Sequence, residues 1–136
     1  LVSKNVMTFE ELLSKDKKFL KLRPLKAKAL LHGHCHQKAF NVLQSVESVL
    51  HLIEELEVEK IETSCCGMAG AFGYSNETID ISIKMAEKDL FPKIRKATEE
   101  TILIADGTSC RSQIIDGTER EAVHVARLLD RQLMNN

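Results

Sequence analysis

Apolar residues recur along the chain with two different periods, and the alternation between them predicts the fold. Leu12, Leu13, Phe19 and Leu20 give a partial apolar face to a helix around Thr8 to Phe19, capped by Thr8 with Glu10 and Glu11 in its first turn. Pro24 then breaks the chain. Lys26 to His32 is short, apolar and followed by Gly33, as expected for a buried strand. Val42, Val46, Val49, Leu50 and Ile53 return at three- and four-residue spacing, which predicts a helix from about Gln37 to Leu56. A second strand is predicted over Val58 to Thr63, ending at Ser64-Cys65-Cys66-Gly67. The glycine-rich stretch from Gly67 to Gly73 leads into a helix near Glu77 to Ala97, with Ile79, Ile83, Ala86 and Leu90 on one face. Pro92 kinks that helix or starts a short continuation. Thr101 to Ala105 reads as a third strand closed by Asp106-Gly107, and Val123, Ala126, Leu129 and Leu133 mark a final helix.

Strands that alternate with helices in this way favour an α/β fold, a three-layer arrangement with a mostly parallel sheet flanked by helices. With 136 residues and no linker or repeat, residues 1–136 are expected to form a single domain. The chain carries 19 Lys and Arg against 20 Asp and Glu, a formal charge of −1, which gives no support for nucleic-acid binding. No apolar run approaches the roughly 20 residues that a membrane helix needs, and the start lacks the order of a secretory signal. A cytoplasmic chain is expected, with a peripheral place at the inner membrane as a further option. Leu1 in place of Met fits a fragment of a larger protein.

The four cysteines change the picture when laid over these elements. Cys35 follows the first strand, Cys65 and Cys66 the second, and Cys110 the third. In an open parallel sheet the carboxyl ends of the strands form the ligand-binding edge, so all four converge there without special assumptions. Helices expected to start at Gln37, near Met68 to Ala71 and at Arg111 would aim their amides at the site and favour thiolate over thiol. Gly33, Gly67 and Gly70 allow the backbone to approach closely. An iron–sulfur cluster held by Cys35, Cys65, Cys66 and Cys110 suits such surroundings, with Gly67 lending its backbone. A zinc site closed by these cysteines, or by three of them and a histidine, is the alternative. His34 and His36 flank Cys35 and are candidates for a ligand or a hydrogen-bond donor to one. A thiol enzyme using Cys35 or Cys110 with one of those histidines as base is a third reading. Asp106, Thr108 and Ser109 are expected to cap a turn, and His124 to be structural. No Cys-x-x-Cys is present, since Lys38 and Gln113 stand three residues after Cys35 and Cys110; a thioredoxin-type dithiol and a paired-knuckle zinc site are disfavoured.

The segments Gly33-His-Cys-His-Gln37, Ser64-Cys-Cys-Gly-Met-Ala-Gly-Ala-Phe-Gly-Tyr74 and Asp106-Gly-Thr-Ser-Cys-Arg-Ser-Gln113 resemble the cysteine-rich CCG domain of FAD-linked oxidoreductases. That family includes the D-lactate dehydrogenase and glycolate oxidase iron–sulfur type, and it is related to the cysteine-rich component of heterodisulfide reductase. The resemblance covers roughly residues 27 to 133. It implies a domain that receives electrons from flavin through iron–sulfur centres, of 4Fe-4S type, and passes them to a quinone or disulfide acceptor. FAD is expected only on a partner domain, with ferredoxin-like domains or subunits as the other partners. In the family's pattern a terminal Cys-x-x-Cys supplies a fifth cysteine; here Gln113 occupies its place.

Overall fold

The computed structural model describes residues 2, 5–63 and 65–134; Ser64 and the side chain of Phe19, both used in the expectations above, lie outside them. Four strands form one parallel sheet: β1 (Ala27–His32), β2 (Leu56–Lys60), β3 (Ile102–Ala105) and β4 (Ala122–Val123), in the order β2-β1-β3-β4. The helices are α1 (Phe9–Lys15), α2 (Cys35–Ala39), α3 (Leu43–Leu50), α4 (Ile79–Lys88), α5 (Leu90–Lys96), α6 (Thr108–Thr118) and α7 (Val125–Gln132). The three-layer α/β architecture expected from the alternation is the one observed.

The step from β1 to β2 runs one way across the sheet, and the later steps run the other. Crossovers of constant right hand then fall on opposite faces. Alternate strand residues accordingly feed two cores. Ala29, Leu31 and Ile104 pack with Val46, Val49 and Leu50 of α3 and with Val125, Leu128 and Leu129 of α7. Leu30, Leu103 and Ala105 pack with Ala86 of α4, with Leu90, Phe91 and Ile94 of α5, and with Cys110 and Ile114 of α6. Strand segments covered on both faces read as unbroken apolar runs, which is why residues 29–31 of β1 and Ile102–Ala105 of β3 were visible as such.

Several boundaries differ from expectation for local reasons. The helix expected over residues 8–19 ends at Lys15 and gives way to a 3₁₀ turn at Lys17–Phe19. Its start is as expected: Thr8 Oγ1 accepts from the Glu11 amide at 3.3 Å and Glu11 Oε2 from the Thr8 amide at 2.7 Å. The long helix expected from Gln37 is two helices, because Asn41 takes a left-handed φ of 59° between α2 and α3. A second left-handed residue, Glu55 at φ 65°, reverses the chain so that β2 begins at Leu56, ahead of the expected Val58. The helix expected over residues 77–97 is also divided, at Asp89. Pro92 has no amide to give to the Lys88 carbonyl and its ring crowds that oxygen, so α4 stops and α5 restarts. No α-helix starts at residues 68–71, where a turn leads to a 3₁₀ segment at Phe72–Tyr74.

Candidate metal centre

The strand order reverses between β1 and β3, the place where open parallel sheets bind ligands, and all four cysteines follow the carboxyl ends of β1, β2 and β3. Cys35 and Cys110 are placed by helix starts slightly earlier than expected. His34 is the N-cap of α2: its amide donates to Gln37 Oε1 at 2.9 Å and its Nδ1 accepts from the His36 amide at 3.3 Å. Cys35 is therefore the first residue of α2 rather than a loop residue before it. Gly107 caps α6, which sets Cys110 in that helix's first turn rather than ahead of it. A Cβ on Gly107 would lie 2.5 Å from the His34 ring and 3.0 Å from Cys110 Sγ, so only glycine allows these two to sit this close. On the β2 side, the Ile61 amide still bonds to the Leu31 carbonyl at 2.9 Å. Cys65 and Cys66 then follow in non-regular chain, and Gly67 turns at φ 92°. This turn ends the strand alternation that would have sent adjacent cysteines to opposite faces.

The sulfurs fall into two pairs. Cys35 and Cys65 are half-buried, with their sulfurs 3.3 Å apart, and the Gly67 amide donates to Cys65 Sγ at 3.3 Å. Cys66 and Cys110 are buried at 3% and 0% exposure and hydrogen-bonded to each other. A third group belongs with the buried pair. His32, the last residue of β1 and 1% exposed, joins Cys66 and Cys110 in a set whose ligand atoms all lie within 4.8 Å of one another. Its position follows from strand periodicity: two residues after Leu30, it points to the same face as Cys66 and Cys110.

Neighbouring groups hold this arrangement in place. His32 Nδ1 lies 3.2 Å from Thr63 Oγ1, and Lys38 Nζ donates to the Thr63 carbonyl and, at 3.2 Å, to its hydroxyl oxygen. Gln113 donates from Nε2 to the Cys66 carbonyl at 3.0 Å and to Ser82 Oγ at 2.9 Å, a buried strut for the cysteine loop. Asp106 does not cap α6. Its carboxylate accepts from Gln37 Nε2 at 2.7 Å and from the Val125 amide at 2.9 Å, joining α2 to the start of α7. His124 is structural, as expected: it caps α7, its Nδ1 accepting from the Ala126 amide at 3.1 Å. Of the two candidate histidines, His34 caps α2 beside the site and His36 is exposed, stacked edge-on against it at 5.0 Å.

The electrostatics follow from these contacts. The hydrogen bond from Cys110 draws the Cys66 thiol from the ordinary 9.0 down to about 4, with burial opposing and His32 and the Met68 amide assisting. The same bond, then burial, pushes Cys110 up, so the proton of the pair stays there. Burial, then the hydrogen bond with Cys65, raises Cys35 to about 11. Burial, then the neighbouring His36, lowers His34, in keeping with the neutral imidazole its cap requires. In metal-free protein, Cys66 is unprotonated when folded and protonated when unfolded between about pH 4 and 9. Stability is thus fully gained above pH 9 and lost as pH falls through that window. Cys35 and Cys110 have the opposite sign, keeping protons that the unfolded chain releases above pH 9, so stability declines again there. Urea midpoints taken with reductant and chelator should peak near the ordinary thiol value; a flat profile from pH 6 to 11 would contradict the assignment.

Thiols and an imidazole within 4.8 Å fit a metal. Tetrahedral zinc with bonds of about 2.3 Å spaces sulfurs by roughly 3.8 Å, and iron–sulfur clusters take cysteine thiolates. The fold and site together define a cysteine-rich, doubly wound α/β domain with a candidate metal centre at its switch point. The chain is 28% identical over 116 residues, 85% of its length, to one of the subunits of the anaerobic glycerol-3-phosphate dehydrogenase of Escherichia coli K12. It is also similar to D-2-hydroxyglutarate dehydrogenase of Pseudomonas putida, 32% identical over 96 residues or 69% of the chain. The enzyme of that name from Pantoea ananatis is 34% identical over 58 residues, 43% of the chain. The chain spans 29%, 9% and 6% of the lengths of these three relatives. No family model matches it. No solved structure matches it either. No helix among the described residues is long and apolar enough to cross a membrane.

Proposed function

We propose that the chain is the metal-binding, electron-carrying domain of a larger flavin-linked oxidoreductase, with Cys35, Cys65, Cys66 and Cys110 holding an iron–sulfur cluster. The observation that carries this reading is the convergence of all four cysteines on one sheet edge, two of them fully buried. Similarity over most of the chain to a component of a multi-subunit dehydrogenase supports an oxidoreductase-associated domain. A cluster bound there would take up and release electrons one at a time. The residues of the chain divide the remaining work. Cys66, Cys110 and Met68 close the inner flank against water, while the half-exposed Cys35 and Cys65 leave the outer flank open to a partner. The Gly67 amide donates to the Cys65 sulfur, a contact that steadies charge on a thiolate. Substrate oxidation belongs to an FAD-binding partner domain, ferredoxin-like modules bring electrons in, and a quinone or disulfide receives them. A cytoplasmic location goes with this reading.

A zinc module is the second reading, favoured by the compact His32, Cys66 and Cys110 set. Metal and acid-labile sulfide analysis on protein prepared without oxygen separates the two. Iron with sulfide and a brown chromophore is the expected result. Zinc alone, or failure of the metal-free chain to take up iron and sulfide on reconstitution, would overturn the electron-carrying reading.

A further inference from the structure

His32 Nε2 is a fully buried polar atom with no nitrogen or oxygen partner among the described residues, and the Cys66 and Cys110 sulfurs lie within 4.8 Å of a ring nitrogen. A buried polar group left without such a partner is costly, and a fold does not carry one without a reason. The ring is nonetheless firmly oriented. Its Nδ1 faces Thr63 Oγ1 at 3.2 Å, and that hydroxyl oxygen has lone pairs for both this nitrogen and Lys38 Nζ. Once a metal displaces any proton from Nε2, a proton on Nδ1 donated to Thr63 would leave the Nε2 lone pair for an ion shared with Cys66 and Cys110. Metal-bound histidines are held in the same manner, one nitrogen on the metal and the other donating to an oxygen that fixes tautomer and ring plane. We propose that His32 Nε2 is a metal ligand, forming with Cys66 and Cys110 a buried three-point site whose remaining position is filled from the Cys35 and Cys65 side.

The proposal rests on the reading that this edge binds metal and specifies how. Gln113 has its amide committed to Cys66 and Ser82, so the additional donor comes from β1. Cys35 and Cys65, with their sulfurs 3.3 Å apart at the carboxyl ends of the neighbouring strands, are the two remaining cysteines from which the set would be completed. A mixed sulfur and nitrogen donor set suits zinc or iron and holds less negative charge than four thiolates.

The test uses the full chain, reduced and metal-free, titrated anaerobically with cobalt(II), and the zinc-loaded chain measured by X-ray absorption. Wild type should show sulfur neighbours with one imidazole. His32→Ala should lose the imidazole signal and weaken cobalt binding by about 100-fold, at or above the upper end of what loss of a ligand's supporting contact costs. His32→Cys should bind again with sulfur alone, showing that the fold tolerates change there. A sulfur-only shell in wild type, an imidazole signal that survives in His32→Ala, or a chain that binds neither ion overturns the proposal. A sulfur-only shell leaves the electron-carrying reading intact, whereas absence of iron and sulfide removes that reading and leaves the zinc shell still readable.

Discussion

Gly67→Ala is expected to destabilise the protein by about 2–5 kcal/mol and to abolish metal binding. Gly67 has φ 92°, where a Cβ meets the backbone at a cost of about 1–2 kcal/mol. Space is short as well: that Cβ would lie 2.2 Å from the Ser82 carbonyl oxygen, which belongs to the backbone of α4 and cannot swing away. Overpacking of this kind costs about 1–3 kcal/mol more. The sum is a large part of the roughly 5–15 kcal/mol that holds a domain together. Relief of the clash would push the loop outward, moving Cys65 and Cys66 with it. Urea unfolding measures the first effect and metal content the second. A midpoint shift worth less than about 0.5 kcal/mol, the scale of an ordinary surface change, would show that the turn is not constrained as described.

Cys66→Ser should leave a folded chain whose metal affinity falls by at least about 100-fold. Cys66 is the centre of the site: its sulfur meets Cys110 and His32, its carbonyl is held by Gln113, and it is 3% exposed. Serine keeps the backbone contacts and nearly the same volume but exchanges a soft thiolate for a hydroxyl that stays protonated at neutral pH. The effect should therefore appear in iron, sulfide and visible absorption and hardly at all in circular dichroism. Unchanged metal content would remove Cys66 from the ligand set. A collapsed fold would make it a packing residue first.

The sheet and its cysteine-bearing edge were legible because β1 and β3 hold short apolar runs, residues 29–31 and Ile102–Ala105, β2 alternates Leu56 and Val58 with charged residues, and each cysteine follows one of these three strands. What was hidden lacks a periodic signal. Asn41 and Glu55 take left-handed conformations that no glycine marks, so one expected helix became two short ones and a turn. β4 has two half-buried residues, Ala122 and Val123, too few to show alternation, and its existence depends on Leu103 and Ile104 pairing with them. Of His32, His34 and His36, which all flank Cys35, the two nearer it in sequence drew the ligand reading, and His32 did not. Counting in twos from Leu30 would have found it, since the strand continues to His32 and stops before His34. Asp106 and Thr63 act across the fold, on residues far along the chain, and no local pattern announces them.

The two flanks of the metal centre also differ in how they are anchored. α2 has five residues, none of them buried, and a helix so short has no stability of its own in water. It is fastened by Gln37 to Asp106 and by Lys38 to Thr63, whereas His32, Cys66 and Cys110 are set in the core. Segments with few buried contacts open at low free energy while the rest of a domain stays closed, and amide exchange would detect this first at residues 35–39. On the proposed reading, loading would have a direction: an incoming ion would meet a preformed inner half and Cys35 would join last, so that release would begin where capture ended and neither would require the sheet to come apart.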